Sequence, residues 1–364
     1  MIENRIACFI SPHGFGHATR AVAVMSALTA LVPVSRFEIF TKVPQWIFDE
    51  SLSGIFNYHS LVTDVGLAQK TSLREDIPKT VEYLENFLPF DTFQISQLAA
   101  LLTKKRCKLI ICDIAPMGIA VGKRAAIPSV LVENFTWDWI YEEYTNHTAQ
   151  MITYSTYLRE LFKSADYHVQ TEPVCSYAKA DLTTKPVSRT IKMQPDKVRR
   201  KLGVPGNAKL VTVTMGGVPE EYSFFDQLAK QKDIYFLIPG GSEYVKINNN
   251  VLTLPYHSDL YHPDLINASD VVVGKVGYST LAEVYHAGVP FGYITRPRFR
   301  ESDYLASYIK QYIHNVHVTE QEFLSGRWIS HLPELLAMPR IQRNEPNGSE
   351  QVAEFISHLL RKMK

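Results

Sequence analysis

Residues 11–20 read Ser11-Pro12-His13-Gly14-Phe15-Gly16-His17-Ala18-Thr19-Arg20. The apolar run Ile6 to Ile10 precedes them, and the Ala/Val/Leu-rich stretch Ala21 to Leu31 follows. The pattern predicts a strand, a glycine-punctuated turn and a helix. Such a turn aims backbone N–H groups and the positive helix end at one spot, which suits an anion. Gly14 and Gly16 permit tight backbone geometry and close ligand approach. His17, at the mouth of that spot, can act as a general base near neutral pH. Arg20 lies one turn later on the same side. The bland alternative is a helix start whose His and Arg are exposed or capping. A dinucleotide fingerprint needs G-x-G-x-x-G. Thr19 occupies the third glycine position, so NAD is a poor fit.

The same style recurs along the chain. Short apolar runs predict strands at Arg5 to Ile10, Arg36 to Thr41, Leu109 to Asp113, Ser129 to Glu133 and Tyr167 to Gln170. Helices are expected at Thr19 to Leu31, Val43 to Glu50, Pro78 to Lys104 and Pro116 to Ala125. In the second half, strands are expected at Lys209 to Thr214, Ile234 to Pro239, Val251 to Leu254, Asp270 to Gly274 and Phe291 to Ile294. Helices there are Tyr222 to Lys230, Tyr278 to Ala287, Tyr304 to Gln311 and Ser349 to Met363. Strand–helix alternation with apolar strands argues parallel sheets covered on both faces. The Pro-containing stretch 172–203 reads as a linker running into a short helix, between domains at 1–171 and 204–348. Two open α/β domains joined there would form a cleft at the C-terminal strand ends, where such sheets bind ligands.

Bulk properties exclude several classes. The 364 residues suit about two domains. A formal net charge of +1 gives no global field toward nucleic acid or an anionic membrane. Cys8, Cys107, Cys112 and Cys175 form no C-x-x-C pair and read as buried thiols of a reducing compartment, with no metal site expected. The N-terminus lacks a signal-peptide pattern, and no apolar run reaches the ~18 residues of a membrane helix. A cytoplasmic protein is expected, with peripheral membrane contact left open.

Four further constellations carry candidate chemistry. Val211 to Thr214 runs into Met215-Gly216-Gly217, a turn that can present N–H groups to a phosphate or can simply end a strand. Gly274-Lys275-Val276-Gly277-Tyr278-Ser279-Thr280 follows another apolar strand, and Ser279 and Thr280 could grip a diphosphate at the helix start. Glu283, three residues on, could accept two hydrogen bonds from a ribose diol; alternatively Thr280 and Glu283 form a capping box. After Phe291 to Ile294, Arg296 to Asp303 is a charged loop in which Glu301 could contact a sugar. Cys112-Asp113 and Glu133-Asn134-Phe135-Thr136-Trp137-Asp138-Trp139 each follow strands of the first half. Asp113 could orient His17 or bind acceptor hydroxyls, and Trp137 and Trp139 could stack on a sugar ring; the bland alternative is an aromatic core with a loop. The other histidines, His147, His168, His257 and His262 among them, lack ligand spacing with carboxylates and read as structural or surface residues.

Two α/β domains with G-x-G-H in the first and G-x-(S/T)-T-x-x-E in the second resemble the GT-B glycosyltransferases, two Rossmann-like domains around a central cleft. The broad group includes the peptidoglycan N-acetylglucosaminyltransferase that makes lipid II. Gly14 to Arg20, Asn134 to Asp138 and Gly274 to Thr280 are similar, over nearly the whole chain, to the glycosyltransferase-like N-terminal half of plant L-arabinokinases. The two domains take up the 364 residues, so no kinase half is expected. The resemblance implies a second domain holding a nucleotide-diphosphate sugar, usually a UDP-sugar. Gly14, Gly16, Gly216, Gly217, Lys275, Gly277, Ser279, Thr280, Glu283 and Glu301 would lie on the donor side, with Glu283 on the ribose and Ser279 and Thr280 on the diphosphate. His17, with Asp113, would act in catalysis. Arg20, Asn134, Trp137 and Asp138 would meet the acceptor in the first domain. Residues 349–364 would form a helix crossing back to that domain. No metal or other cofactor is implied.

The chain departs from the peptidoglycan enzyme in having Arg20 where G-G-H-x-x-P has proline, and in lacking its His-Gln motif near the sugar. The G-x-G-H-x-x-R pattern is also similar to a UDP-sugar hydrolase of the pseudaminic acid pathway. The resemblance implies a metal-independent, inverting transfer of a hexosyl or N-acetylhexosaminyl group to a saccharide, lipid or small molecule. A nucleotide-sugar hydrolase and a non-catalytic nucleotide-sugar-binding module are the alternatives.

Overall fold

In the computed structural model, residues 4–52, 56–71, 74–146, 148–216, 223–255 and 257–363 are described. The run Ile6–Ile10 lies within strand β1 (Asn4–Ile10) and is at most 1% exposed. Strands covered on both faces read as continuous apolar runs, which is why this one was legible. Around it β2 (Ser35–Thr41), β3 (Phe56–Ser60), β4 (Cys107–Asp113), β5 (Ser129–Glu133), β6 (Tyr167–Thr171) and β7 (Leu182–Thr184) form a parallel sheet in the order β3-β2-β1-β4-β5-β6-β7.

The second sheet contains β8 (Lys209–Thr214), β9 (Ile234–Pro239), β10 (Lys246–Asn248), β11 (Val251–Leu254), β12 (Val271–Lys275), β13 (Phe291–Ile294) and β14 (Asn315–His317). Its order is β10-β11-β9-β8-β12-β13-β14, and it is parallel apart from the antiparallel pair β10–β11. Its faces are filled by separate clusters. Val211, Phe236, Val273 and Trp328 lie in one, and Val272, Leu281, Phe291 and Ile309 in another. Each such side chain contributes on the order of 1.5–3 kcal/mol of burial.

The chain divides into two units, Met1–Lys70 with Glu75–Ser188 and Pro346–Lys364, and Thr71–Arg74 with Arg189–Glu345. The stretch 172–203 is thus not a free linker. Leu182–Thr184 pairs with β6 as the last strand of the first sheet. The helix Pro195–Leu202 docks on the second unit, where Val198 and Leu202 join a core cluster and Arg199 Nη2 lies 2.5 Å from Asp270 Oδ2. The last helix, Gly348–Lys362, is part of the first unit. Asn347 caps it, its Oδ1 accepting from Ser349 N at 3.0 Å and from Ser188 N at 3.2 Å, and Val352, Ala353 and Ile356 are fully buried.

Other expectations shift for local reasons. The single helix expected over Pro78 to Lys104 is two, Ile77–Phe87 and Thr92–Lys104. Pro89 cannot sit inside a helix, and Asp91 Oδ1 caps the second one by accepting from Phe93 N. The four cysteines are free and buried as expected. Burial pushes the Cys107 thiol up to about 12 and also raises those of Cys8 and Cys112. Among the described residues no helix is long and apolar enough to cross a membrane.

Candidate functional site

In the first sheet the strand order reverses between β1 and β4, and open parallel sheets bind ligands beyond the carboxyl ends of strands at such a point. Ile10 is paired there with Asp113, and Ser11 N donates to the Asp113 carbonyl at 3.2 Å. Gly14 has φ +72°, the left-handed region that glycine enters without penalty. The helix then starts at Gly16, three residues before the expected Thr19, so His17 lies in its first turn. Arg20, three residues on, shares its face.

These side chains converge on Asp113. His17 Nδ1 lies 3.2 Å from Asp113 Oδ1. Arg20 donates from Nη2 to Oδ1 at 2.6 Å, from Nε to Oδ2 at 2.8 Å, and from Nη1 to Asn134 Oδ1 at 2.7 Å. Burial alone would raise the Asp113 pKa; the Arg20 guanidinium and His17 outweigh it and hold the carboxyl below the usual range. An ionised carboxylate only accepts, so His17 Nδ1 donates to it and the neutral ring carries its lone pair on Nε2. The ring packs edge-on against Phe135 and Trp137, at centroid distances of 6.0 and 6.3 Å. Ile114, directly after Asp113, has φ +43°, an outlier for a β-branched residue and the kind of backbone strain found where a site fixes its geometry.

The acceptor-side expectations need correction. Arg20 is 1% exposed, and Asn134 and Trp137 are fully buried. They support His17 from within and offer no face to an acceptor. Trp139, at 8%, is likewise interior. Asp138 is 7% exposed; its Oδ1 has no hydrogen-bond partner among the described residues, Oδ2 lies 3.5 Å from Arg159 Nε, and burial raises its pKa.

Sequence reading missed Asp64. Its buried carboxyl accepts from Ser11 Oγ at 3.0 Å and from Trp137 Nε1 at 3.1 Å. Burial, with the nearby Asp113 charge, pushes it up to about 7 against the pull of those two donors. It lies 53 residues from Ser11 with no motif around it.

In the second sheet the order reverses between β8 and β12. Thr214 pairs with Gly274 so closely that a Cβ on Gly274 would lie 2.0 Å from the Thr214 carbonyl oxygen. Beyond these strand ends, Gly216 has φ +78°, and the Lys275 ammonium would lie 3.4 Å from a Cβ placed there. Gly217 lies outside the described residues, as does His147. The helix Tyr278–Ala287 begins after an extended Gly277 that supplies no capping side chain. Thr280 is therefore the third helical residue, which removes the capping-box alternative. Lys275, a helix N-terminus and the partly exposed Ser279 and Thr280 follow one another at this strand end, and helix N-termini suit anions. Glu301 opens the helix Glu301–Tyr312 and is 6% exposed.

Glu283 is engaged at both oxygens. Arg189 donates from Nη2 and Nε to Oε1 at 3.0 and 3.2 Å, and His262 Nδ1 lies 2.7 Å from Oε2. Burial works against its charge, but Arg189 and His262 outweigh it and keep its pKa below the usual value. The diol-binding role expected of Glu283 thus meets a carboxylate already paired. His262 and, in the first unit, His168, whose Nε2 lies 2.7 Å from Glu133 Oε1, each pair with one carboxylate. These pairs span 21 and 35 residues, beyond what local spacing reveals. Among the described residues no group of three or more His, Cys, Asp or Glu could hold a metal ion.

No family model matches the chain. It is 26% identical over 357 residues to L-arabinokinase of Arabidopsis thaliana, covering 96% of this chain and 34% of that protein, so it spans about a third of that relative's length. It is 23% identical over 273 residues to an uncharacterized glycosyltransferase of Methanopyrus kandleri, covering 70% of this chain and 76% of the relative. Among solved structures, a UDP-glucosyltransferase from Polygonum tinctorium capable of glucosylating indoxyl superposes with a TM-score of 0.60 at 14% identity, over 100% of this chain and 94% of that one. With a doubly wound parallel sheet in each unit and such neighbours, the chain has the fold of the GT-B glycosyltransferases, which its sequence also resembles.

Proposed function

We propose that the chain is a metal-independent, inverting glycosyltransferase that takes a hexosyl or N-acetylhexosaminyl group from a nucleotide-diphosphate sugar, with UDP as the carrier. The observation that carries this reading is the His17–Asp113 pair at the switch point of the first sheet. Asp113 fixes the ring so that Nε2 can accept a proton. The acceptor oxygen attacks the anomeric carbon as Nε2 takes its proton, and the carbon–oxygen bond to the diphosphate breaks with inversion. Charge grows on the departing diphosphate, where preorganised donors matter most. Lys275, Ser279, Thr280 and the first-turn N–H groups of Tyr278–Ala287 are suited to meet it. The glycosyltransferase relative and the glycosyltransferase neighbours support glycosyl transfer in general.

Calorimetry with UDP, ADP, GDP and dTDP, alongside turnover of wild type and His17→Ala, tests the proposal. The expected outcome is UDP binding by both proteins and loss of about 10²–10⁴-fold in rate for the variant. Binding of none of the four would sink it. A second reading, hydrolysis of the nucleotide sugar, is favoured by the burial of Arg20, Asn134 and Trp137, which leaves the expected acceptor contacts without an exposed face. Release of free sugar at a rate that no acceptor raises would select it.

A further inference from the structure

The stretch 61–68, after β3, contains no helix or strand, yet Thr63 is fully buried and Asp64 and Leu67 are each 3% exposed. Its middle residues are bonded to the segments that carry the His17 site. Thr63 Oγ1 donates to the Ile10 carbonyl at 2.7 Å, at the end of β1. Leu67 N donates to His13 Nδ1 at 3.3 Å, and the Tyr141 hydroxyl donates to the Gly66 carbonyl at 2.8 Å.

Asp64 lies within this strap. Its Oδ1 accepts from Ser11 Oγ at 3.0 Å and its Oδ2 from Trp137 Nε1 at 3.1 Å. Ser11 N bonds in turn to the Asp113 carbonyl. The Trp137 ring meets the rings of His13 and His17 edge-on, at centroid distances of 5.0 and 6.3 Å, and stacks on Tyr141 at 5.8 Å. Each oxygen of Asp64 thus fixes one neighbour of the His17–Asp113 pair, Ser11 on the carboxylate side and Trp137 on the imidazole side. The titratable and charged groups around it are Asp113 at the end of β4, His13 in the turn, His17 and Arg20 on the helix Gly16–Leu31, and Tyr141 on the helix Trp137–Glu142. Those that act on its charge are Ser11, Trp137 and Asp113, with no cation among them.

We propose that Asp64 is a positioning residue of the His17 site, which by holding Trp137 and Ser11 fixes the ring packed against His17 and so the direction in which the imidazole presents Nε2. Its effect on turnover rests on the reading of His17 as the base. A small misplacement of a base costs rate without weakening substrate binding, because the misplaced contact is one made in the transition state.

The test uses the full chain. Asp64→Asn can keep both contacts, its amide oxygen accepting from Trp137 Nε1 while its NH₂ donates to Ser11 Oγ; Asp64→Ala removes both. The His17 ring resonances, identified by their loss in His17→Ala, sense the indole beside them. They should shift in Asp64→Ala and stay in place in Asp64→Asn. Release of UDP from UDP-glucose and UDP-N-acetylglucosamine gives the second readout: kcat should fall about 10- to 100-fold in Asp64→Ala with KM little changed, and Asp64→Asn should recover most of it. Unmoved His17 resonances in a folded Asp64→Ala, or an Asp64→Asn as impaired as Asp64→Ala, would overturn the proposal. Should Asp64→Ala fail to fold, the Trp137 indole N–H resonance decides: it should move in one step near pH 7 in wild type, as Asp64 ionises, and lose that step in Asp64→Asn. The same titration in both would overturn the proposal. Expected resonances without UDP release from either sugar by wild type would overturn the nucleotide-sugar reading and leave the positioning of His17 standing.

Discussion

Arg20 grips Asp113 through two N–H donors, Nη2 at 2.6 Å from Oδ1 and Nε at 2.8 Å from Oδ2, with both residues 1% exposed. Arg20 is therefore an internal counter-ion. His17 shares Oδ1 with it, so Asp113 orients the imidazole while much of its charge is already met by the guanidinium.

Removing that guanidinium should leave a buried carboxylate uncompensated. Arg20→Met is expected to destabilise the first unit by about 3–5 kcal/mol, seen as a lower denaturant midpoint. The pH dependence has a definite sign. The folded Asp113 pKa is depressed, so the group contributes stability above the unfolded value of about 3.9 and loses it as pH falls through the folded value. In Arg20→Met the acid transition should move to higher pH; an unmoved transition would contradict the role assigned to the pair.

Asp64 has the opposite sign. Its folded pKa is raised to about 7, so between about pH 4 and 7 the unfolded chain ionises while the native carboxyl stays protonated. Stability should fall across that window by up to ~4 kcal/mol, at 1.36 kcal/mol per unit. Asp64→Asn should remove this slope: relative to wild type, its melting temperature should rise progressively from pH 5 to pH 8. A difference that stays constant with pH would count against a titrating Asp64.

Much of this architecture could be read from the sequence because the strands that hold the sites are covered on both faces. Ile6–Ile10, Leu109–Cys112, Val211–Thr214 and Val271–Val273 are uninterrupted buried runs, and glycine-containing turns follow all of them but Leu109–Cys112. The outer strands carry no such signal. Lys246–Asn248 is exposed throughout, and Phe56–Ser60 is only partly covered, with polar Asn57 and His59 in it. The partners of the candidate residues were hidden for another reason. Asp113 and Arg20 are 93 residues apart, and Glu283 and Arg189 are 94 apart, so only the folded sheets bring them together. Burial likewise turned Trp137 from an expected stacking surface into an N–H donor to Asp64.

Two glycines of one motif should respond differently to alanine. At Gly274 the added Cβ would fall 2.0 Å from the Thr214 carbonyl oxygen, so β8 and β12 would have to separate. Gly274→Ala should cost at least about 4 kcal/mol, the range of severe core disruptions. At Gly277 an added Cβ meets nothing within 4 Å, and φ is −141°. Gly277→Ala should fold with a loss of about 1 kcal/mol or less. Thermal unfolding of the two variants decides the matter, and equal losses would contradict the geometry.

Lys275 tests whether the helix entrance holds a diphosphate. Its ammonium sits beside Gly216, and the residue lies three positions before the start of the helix Tyr278–Ala287. If that ammonium meets phosphate charge, Lys275→Met should weaken UDP binding about tenfold, roughly 1.4 kcal/mol. Losing a charge also removes a salt-sensitive contribution, since mobile ions screen partly exposed charges within about 10 Å at 0.1 M. Binding by wild type should therefore fall more steeply with ionic strength than binding by Lys275→Met, and Lys275→Arg should keep most of the wild-type slope. Titrations at low and high salt distinguish this from a packing role. A packing defect would weaken binding at every ionic strength by the same factor and leave the slope unchanged, and that outcome would exclude contact between Lys275 and the diphosphate.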